Sequence, residues 1–452
     1  MEKQEPSNQK NSLNFFGLLL IVLLLILIVV LQKSQSQKKT TLTSAQTANT
    51  LLVPQNYQTI QSAINAAAAG DIILISSGTY RENLNIDRAV TLSAASYDKI
   101  NPRNNGVVID GGGQTVIMIP KAVPSQINLV GLTIKNGGLD GIQSFSPFLI
   151  EYSYLTQAAD LIDYSKGSGG INRFNVFDGG TDDDLDLDNA INDFLIENNQ
   201  ILNAKQDGIE IRLQDDVIAS QAAITIRNNL ISGSGQDGIQ FIDYATDTNR
   251  LFKIERNLIE KSKKAAIGLM DNQITSEDYR AASIKEPMNV INNTIVNNDY
   301  GISGGDNMIV VNNIIANNTG LGIKNIDGGS TVAYNLFWAN GTNYSGSNLN
   351  GSTNNIGDPL LTPDFHLGIG SPAIDAGIAN FSFAGRTALA LTSADFIGQA
   401  PDLGSYEGAS SPILSPTVNQ STPTVSPAIS QPAPTATPIS ATRAPACTYI
   451  KN

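Results

Sequence analysis

Apolar positions along the middle of this chain come in short runs broken by Gly, Asn and Asp, and one phrase keeps returning. It reads Ile196-Glu197-Asn198-Asn199-Gln200-Ile201, then Ile226-Arg227-Asn228-Asn229-Leu230-Ile231, then Ile254-Glu255-Arg256-Asn257-Leu258-Ile259. It continues as Ile291-Asn292-Asn293-Thr294-Ile295, Val311-Asn312-Asn313-Ile314-Ile315 and Ala333-Tyr334-Asn335-Leu336-Phe337. The second asparagine recurs after 30, 28, 36, 20 and 22 residues. A second mark follows each phrase: a turn residue, Gly, then Ile. It is seen at Asp207-Gly208-Ile209, Asp237-Gly238-Ile239, Tyr300-Gly301-Ile302 and Leu321-Gly322-Ile323, and earlier at Asp140-Gly141-Ile142. Short alternating runs between such punctuation predict strands and turns. A period of roughly 20–30 residues predicts a stacked, quasi-one-dimensional fold.

No long helical pattern separates the runs, so strand–helix–strand units are excluded. A β-propeller fits poorly, because each blade needs about 40–45 residues of antiparallel strand. The expected fold is all-β: a right-handed parallel β-helix solenoid over residues 51–408, with inward Ile, Val and Leu stacked along the axis. Asparagine tolerates the left-handed backbone region, and its amide can bond the next coil. The phrase therefore predicts an asparagine ladder at one corner.

The ends carry further signals. Thr59 to Ala67 has helical spacing and predicts a helix over the open end of the first coil. Gly70-Asp71 ends it, and Ile72 to Ser76 starts a strand. This stretch resembles the N-terminal cap of pectin-lyase-like β-helix proteins, pectinesterases among them. Val107-Val108-Ile109-Asp110-Gly111-Gly112 resembles an early coil of that superfamily. Gly370-Ser371-Pro372-Ala373-Ile374-Asp375-Ala376-Gly377, with Asp395-Phe396-Ile397-Gly398 and Pro401-Asp402-Leu403-Gly404-Ser405-Tyr406-Glu407, resembles the closing segment of many bacterial members. The resemblance spans Val53 to Glu407 and implies the fold; the superfamily hosts many chemistries and some non-enzymes.

Outside the solenoid, residues 15–31 are an apolar run interrupted only by Gly17. They predict one transmembrane helix acting as an uncleaved signal anchor, after a cytoplasmic tail (1–14) and before a polar linker (32–50). No cysteine lies near it, which excludes a bacterial lipoprotein. Lys33, Lys38 and Lys39 follow the run, whereas Lys3 and Lys10 precede it, so lysine bias alone opposes export. Long domains translocate regardless of such charges, and the solenoid is expected on the extracytoplasmic side. Residues 409–452 are rich in Pro, Ser and Thr and predict a disordered tail. Cys447 is the only cysteine and forms no internal disulfide.

The chain has 452 residues and a net charge of −13. That balance excludes nucleic acid as a partner, and a monomer is expected. The acidity concentrates at Asp178-Gly179-Gly180-Thr181-Asp182-Asp183-Asp184-Leu185-Asp186-Leu187-Asp188. Aligning Asp183–Asp188 with Asp207–Arg212 and with Asp237–Phe241 stacks Leu185, Ile209 and Ile239 inward, and likewise Leu187, Ile211 and Phe241. Period-two alternation then sets Asp184, Asp186, Asp188, Glu210, Arg212 and Gln240 on one outer face. Neighbouring coils are about 4.8 Å apart, so these carboxylates call for a cation, Arg212 or retained protons, unless the face is solvated and relieved by counterions alone.

Three chemistries fit. Asp184, Asp186, Asp188 and Glu210 could hold Ca²⁺, with Arg212 beside them as the base of a polysaccharide lyase. Asp184 and Asp186 could act as the acid and base of an inverting glycoside hydrolase. Thr181-Asp182-Asp183-Asp184 faintly resembles the paired-aspartate motif of polygalacturonases, although the family's His-Gly and Arg-x-Lys motifs are missing. The third is binding without turnover. His366 is the only histidine and is expected to be structural; Tyr334, Phe337 and Trp338 are expected to pack. The expected function is engagement of polysaccharide or cell-surface glycan at the acidic face, by binding or cleavage. The alternative is a non-catalytic surface stalk or adhesin.

Overall fold

The computed structural model describes residues 48–408, except 124–125, 189–191, 215–221, 246–247, 249, 272, 274–283 and 352. Within them the chain winds repeatedly through three sheets. One turn runs from Phe194–Glu197 in sheet A to Gln200–Leu202 in sheet B and Ile209–Arg212 in sheet C, then returns to sheet A at Ala222–Arg227. Sheets A and B each gather 12 described strands and sheet C gathers 11. Strands meet their counterparts one coil away in parallel register: Phe194 faces Ile224, Gln200 faces Leu230 and Ile209 faces Ile239. The chain is a parallel β-helix, as the repeat predicts.

The strands are too short to be stable alone and gain their stability by stacking. Each sends one apolar column inward. Leu185, Ile209 and Ile239 are in register, as are Leu187, Ile211 and Phe241, and all six are fully buried. The N-terminal helix spans Ile60–Ala66 and begins at Thr59, whose side chain accepts the Ser62 amide. Ile60, Ala63 and Ile64 are fully buried in the same core, so this helix covers the first coil.

The corner between sheets A and B explains the recurring phrase. Its first asparagine takes the left-handed conformation, with φ of 56° at Asn198, 54° at Asn228, 53° at Asn292 and 60° at Asn312. Its second is buried and forms the ladder. The Asn199 amide N–H donates to Asn229 Oδ1 at 3.0 Å, Asn229 to Asn257 at 3.0 Å, Asn257 to Asn293 at 2.9 Å and Asn293 to Asn313 at 2.8 Å. Asn175 extends the ladder before the repeat is visible, and Asn335 and Asn354 extend it beyond.

The closing segment lies along the side of the solenoid. Outward positions of the last coils become apolar, and residues 360–408 cover them as a strap. Leu367, Ala373 and Leu403 cover Leu258, Val296, Ile314, Ala316 and Leu336 on sheet B. The hairpin Asn380–Phe383 and Arg386–Ala390 sets Leu389, Phe381 and Phe383 over Ile291, Ile309, Val311 and Ala333 on sheet A. Corner asparagines anchor it: Asn312 exchanges two hydrogen bonds with Ile378, at 2.9 and 3.0 Å, and Asn292 Nδ2 donates to Asp402 O at 3.0 Å. His366 is buried in the strap, stacked on Tyr406 with centroids 4.1 Å apart. Phe337 is core, Tyr334 packs on Phe381, and Trp338 is 37% exposed. Among the described residues no helix is long and apolar enough to cross a membrane. The expected anchor (15–31), the Pro-rich tail and Cys447 lie outside the described residues.

Candidate functional site on the outer face of sheet C

Strand Leu185–Asp188 pairs with Ile209–Arg212, which pairs with Ile239–Ile242. Their outward positions form columns. The central column runs Gln143, Asp163, Asp186, Glu210, Gln240. One step along, Asp188 faces Arg212. The outer face inferred from the alignment is therefore present for Asp186, Asp188, Glu210, Arg212 and Gln240.

Asp184 is not on that face, which corrects its expected place. The strand begins at Leu185, so alternation does not extend back into the turn. The Asp184 carboxylate is fully buried and accepts the amides of Gly180, at 2.8 Å, and Leu202, at 3.0 Å. Burial drives its pKa well up. This carboxyl ties turns together and has no route to a metal ion or a sugar. An Asp184–Asp186 acid–base pair is thereby excluded.

Arg212 binds the other members. Its Nη1 lies 3.0 Å from Asp188 Oδ1 and 3.7 Å from Asp186 Oδ2, and its Nη2 contacts Glu210 Oε1. Burial opposes its charge, but Asp186, Glu210 and Asp188 together raise its pKa above the ordinary guanidinium value. Such a group stays protonated and is unsuited to act as a base. Burial pushes Asp186 up to about 9, with only partial relief from Arg212. Asp188 and Glu210 lie nearer the guanidinium than Asp186 does.

A second acidic column flanks the first and is missing from the inferred face. It consists of Asp140, Asp160, Asp183, Asp207 and Asp237 on successive coils: the first two open strands of sheet C, and the other three stand two residues before theirs. Asp140 accepts the Thr115 hydroxyl at 3.2 Å, and from Asp160 onward each carboxylate accepts a backbone amide of the next coil. Asp183 N donates to Asp160 at 3.1 Å, Asp207 N to Asp183 at 2.7 Å, Asp237 N to Asp207 at 2.6 Å and Ala265 N to Asp237 at 2.6 Å. Burial raises Asp140 to about 6 and Asp160 to about 7. Asp183 and Asp207 also rise, through burial and the neighbouring carboxylates. The legible signal was the Asp of the recurring Asp-Gly-Ile, whose turn role concealed its side-chain role.

The columns meet at Asp183, Asp207 and Glu210, all buried, where one carboxylate oxygen from each lies within 4.8 Å of the others. Two oxygens on opposite sides of an ion bound at about 2.4 Å are separated by that much. On either side of Glu210, buried polar atoms lack hydrogen-bond partners among the described residues: Asp186 Oδ1 and both amide atoms of Gln240. Gln240 is fully buried. An all-oxygen set of carboxylates with a neutral carbonyl beside it fits a hard cation such as Ca²⁺.

No family model matches the sequence, and no curated protein matches it either. Among solved structures, the pectate lyase Pel9A is similar at 13% identity, covering 77% of this chain and 90% of that one, with a TM-score of 0.48. The A-module of the Azotobacter vinelandii mannuronan C-5 epimerase AlgE4 matches at 16% identity over 66% and 90%, with a TM-score of 0.40. The PL6 family polysaccharide lyase Pedsa3628 from Pseudopedobacter saltans matches at 15% identity over 70% and 94%, with a TM-score of 0.33.

Proposed function

We propose that this chain binds polysaccharide on the outer face of sheet C, through a divalent cation held where the two acidic columns meet. The observation that carries this is the convergence of Asp183, Asp207 and Glu210 within 4.8 Å, flanked by the unpartnered atoms of Asp186 and Gln240. Two carboxylates one coil apart repel by roughly 3 kcal/mol at an effective dielectric of about 20. A cation removes that cost and presents open coordination positions to sugar hydroxyl or carboxylate oxygens. Coils repeating every 4.7–4.9 Å suit an extended polymer, because successive coils offer it successive contacts. Ca²⁺ is the proposed ion, with Asp183, Asp207 and Glu210 as its ligands and Asp186 and Gln240 beside them. Asp188 belongs to the Arg212 pair. Placement outside the membrane, on an anchor at residues 15–31, is part of the proposal and rests on the apolar run alone.

Cleavage at the same face is a second reading, favoured by a carboxyl, Asp186, that stands 3.7 Å from Arg212 and whose pKa burial pushes up to about 9. That group would act as an acid toward a glycosidic oxygen, and Arg212 would balance charge.

The test uses the full chain with uronic-acid and neutral polysaccharides, with and without Ca²⁺. Millimolar Ca²⁺ is expected to raise the melting temperature by at least about 2 °C and to enable polymer binding. Glu210→Gln and Asp183→Asn should abolish both. No thermal shift in the wild type, or full binding in chelator by both variants, would overturn the cation-dependent reading. New reducing ends that vanish in Asp186→Asn would establish cleavage.

A further inference from the structure

A second polar cleft lies away from sheet C. It is formed by residues 95–106, which connect strand Thr91–Ala94 of sheet A to strand Val107–Asp110 of sheet B. The Tyr97 ring lies over Gly131, whose φ of +71° and close approach to that ring leave no room for a side chain. Tyr97 then packs tilted against Tyr152 at 5.6 Å, and Tyr152 stacks on Phe174 at 5.1 Å. Tyr152 and Phe174 take the left-handed corner position that asparagine fills in later coils, with φ of 52° and 56°. Aromatic residues are disfavoured there, so the ring stack outweighs the strain.

The cleft beside this stack measures about 570 Å³ and is bordered by Ser77, Tyr97, Asp98, Lys99, Ile100 and Asn104, among others. That volume lies within the range of small-ligand sites. Its border carries one cation, Lys99, and one carboxylate, Asp98. The Asp98 carboxylate is occupied by its own turn, accepting the amides of Ile100 and Asn101 and the side chain of Asn104. Those bonds, the Asn101 amide first, hold its pKa below the usual range. The Lys99 ammonium stands 5.7 Å from the Tyr97 ring centre and 5.4 Å from that of Tyr152. It has no carboxylate partner among the described residues. Ile100 is 85% exposed at the rim. An oriented ammonium, an exposed apolar face and nearby hydroxyl and amide groups match a sugar ring that bears a carboxylate.

We propose that this cleft binds an acidic sugar unit directly, without metal, as a contact separate from the acidic face. The proposal rests on the reading of the chain as a polysaccharide binder. It also states the substrate class: a polymer carrying carboxylates reaches the acidic face through a cation and the Lys99 cleft through the ammonium.

The two contacts separate by chelation. Titrate the full chain with tetragalacturonate by calorimetry, in Ca²⁺ and in excess EDTA. Weak binding should persist in EDTA, fall with added salt, and be unchanged in Glu210→Gln. Lys99→Glu should reduce it about tenfold or more, and Ile100→Ala should weaken it less. Both substitutions are at the surface, so folding is checked by an unchanged melting temperature. No binding in EDTA, or Lys99→Glu binding as tightly as wild type there, overturns the cleft while leaving Ca²⁺-dependent binding intact. Absence of binding in both media overturns the polysaccharide reading together with the cleft.

Discussion

The same short side chains carry out different work at different corners. Asparagine at the A–B corner satisfies the next coil's amide with its oxygen and donates back with its nitrogen. Asn257 accepts from Asn229, donates to Ile226 O at 2.9 Å and donates to Asn293 Oδ1 at 3.0 Å. Asn257→Ala leaves these groups buried and unpaired, which costs about 2–4 kcal/mol. Urea unfolding should show that loss, whereas an exposed substitution such as Lys263→Ala should stay within about 0.5 kcal/mol. Aspartate before sheet C has the same geometry but lacks the donor, so its stacking leaves charge or protons to accommodate. Asparagine was readable because its spacing is periodic. The acidic column was harder to read, since Asp160 and Asp183 sit in units without the Asp-Gly-Ile phrase.

At the scale of elements, the strap is the least expected part. The repeat pattern runs on past residue 290, but its outward positions change from polar to apolar: Val296, Ile309, Ile314 and Leu336. A polar outer face needs no cover; these positions do. The strap supplies it and is pinned by polar contacts along its length: Asn312 with Ile378, Asn292 with Asp402, Thr294 with Ser405, Arg386 with Asn307 and Arg256 with Asp395. Asn312→Ala removes both bonds to Ile378 and should loosen the strap before the solenoid. Hydrogen exchange should then rise over residues 373–405 and stay unchanged at Phe194–Arg212. Uniform acceleration along the chain would show that strap and solenoid unfold together. Resemblance identified this segment as a closing piece, yet its path back along the coils depends on contacts with residues about 110 positions earlier, such as Asn292 with Asp402.

For the whole molecule, the buried carboxyls set an unusual pH response. Their folded pKa values lie above the unfolded value near 3.9: about 6 for Asp140, about 7 for Asp160 and about 9 for Asp186. A carboxyl with a raised pKa contributes stability that is complete below about pH 4 and is lost as pH rises through the folded value. Without a divalent cation, the melting temperature should therefore fall between pH 5 and 9. Ca²⁺ competes for the deprotonated forms and should flatten that decline. A melting temperature that rises over this range in chelator would contradict the assigned shifts.

The sequence by itself determined the coil, its register and its inner columns. Those follow from local regularities: period-two alternation within each strand and a phrase that returns once per turn. It also placed Asp186, Asp188, Glu210 and Arg212 on one face, because strand alternation holds there. Only the tertiary structure decided what the carboxylates touch. Asp184 turned inward because it precedes the strand, and Asp183 and Asp207 joined Glu210 because turns on adjacent coils stack. The environment of a side chain in a solenoid is made by residues one coil away, some 20–30 positions along the chain, and no local pattern encodes how a turn aims its side chain at them.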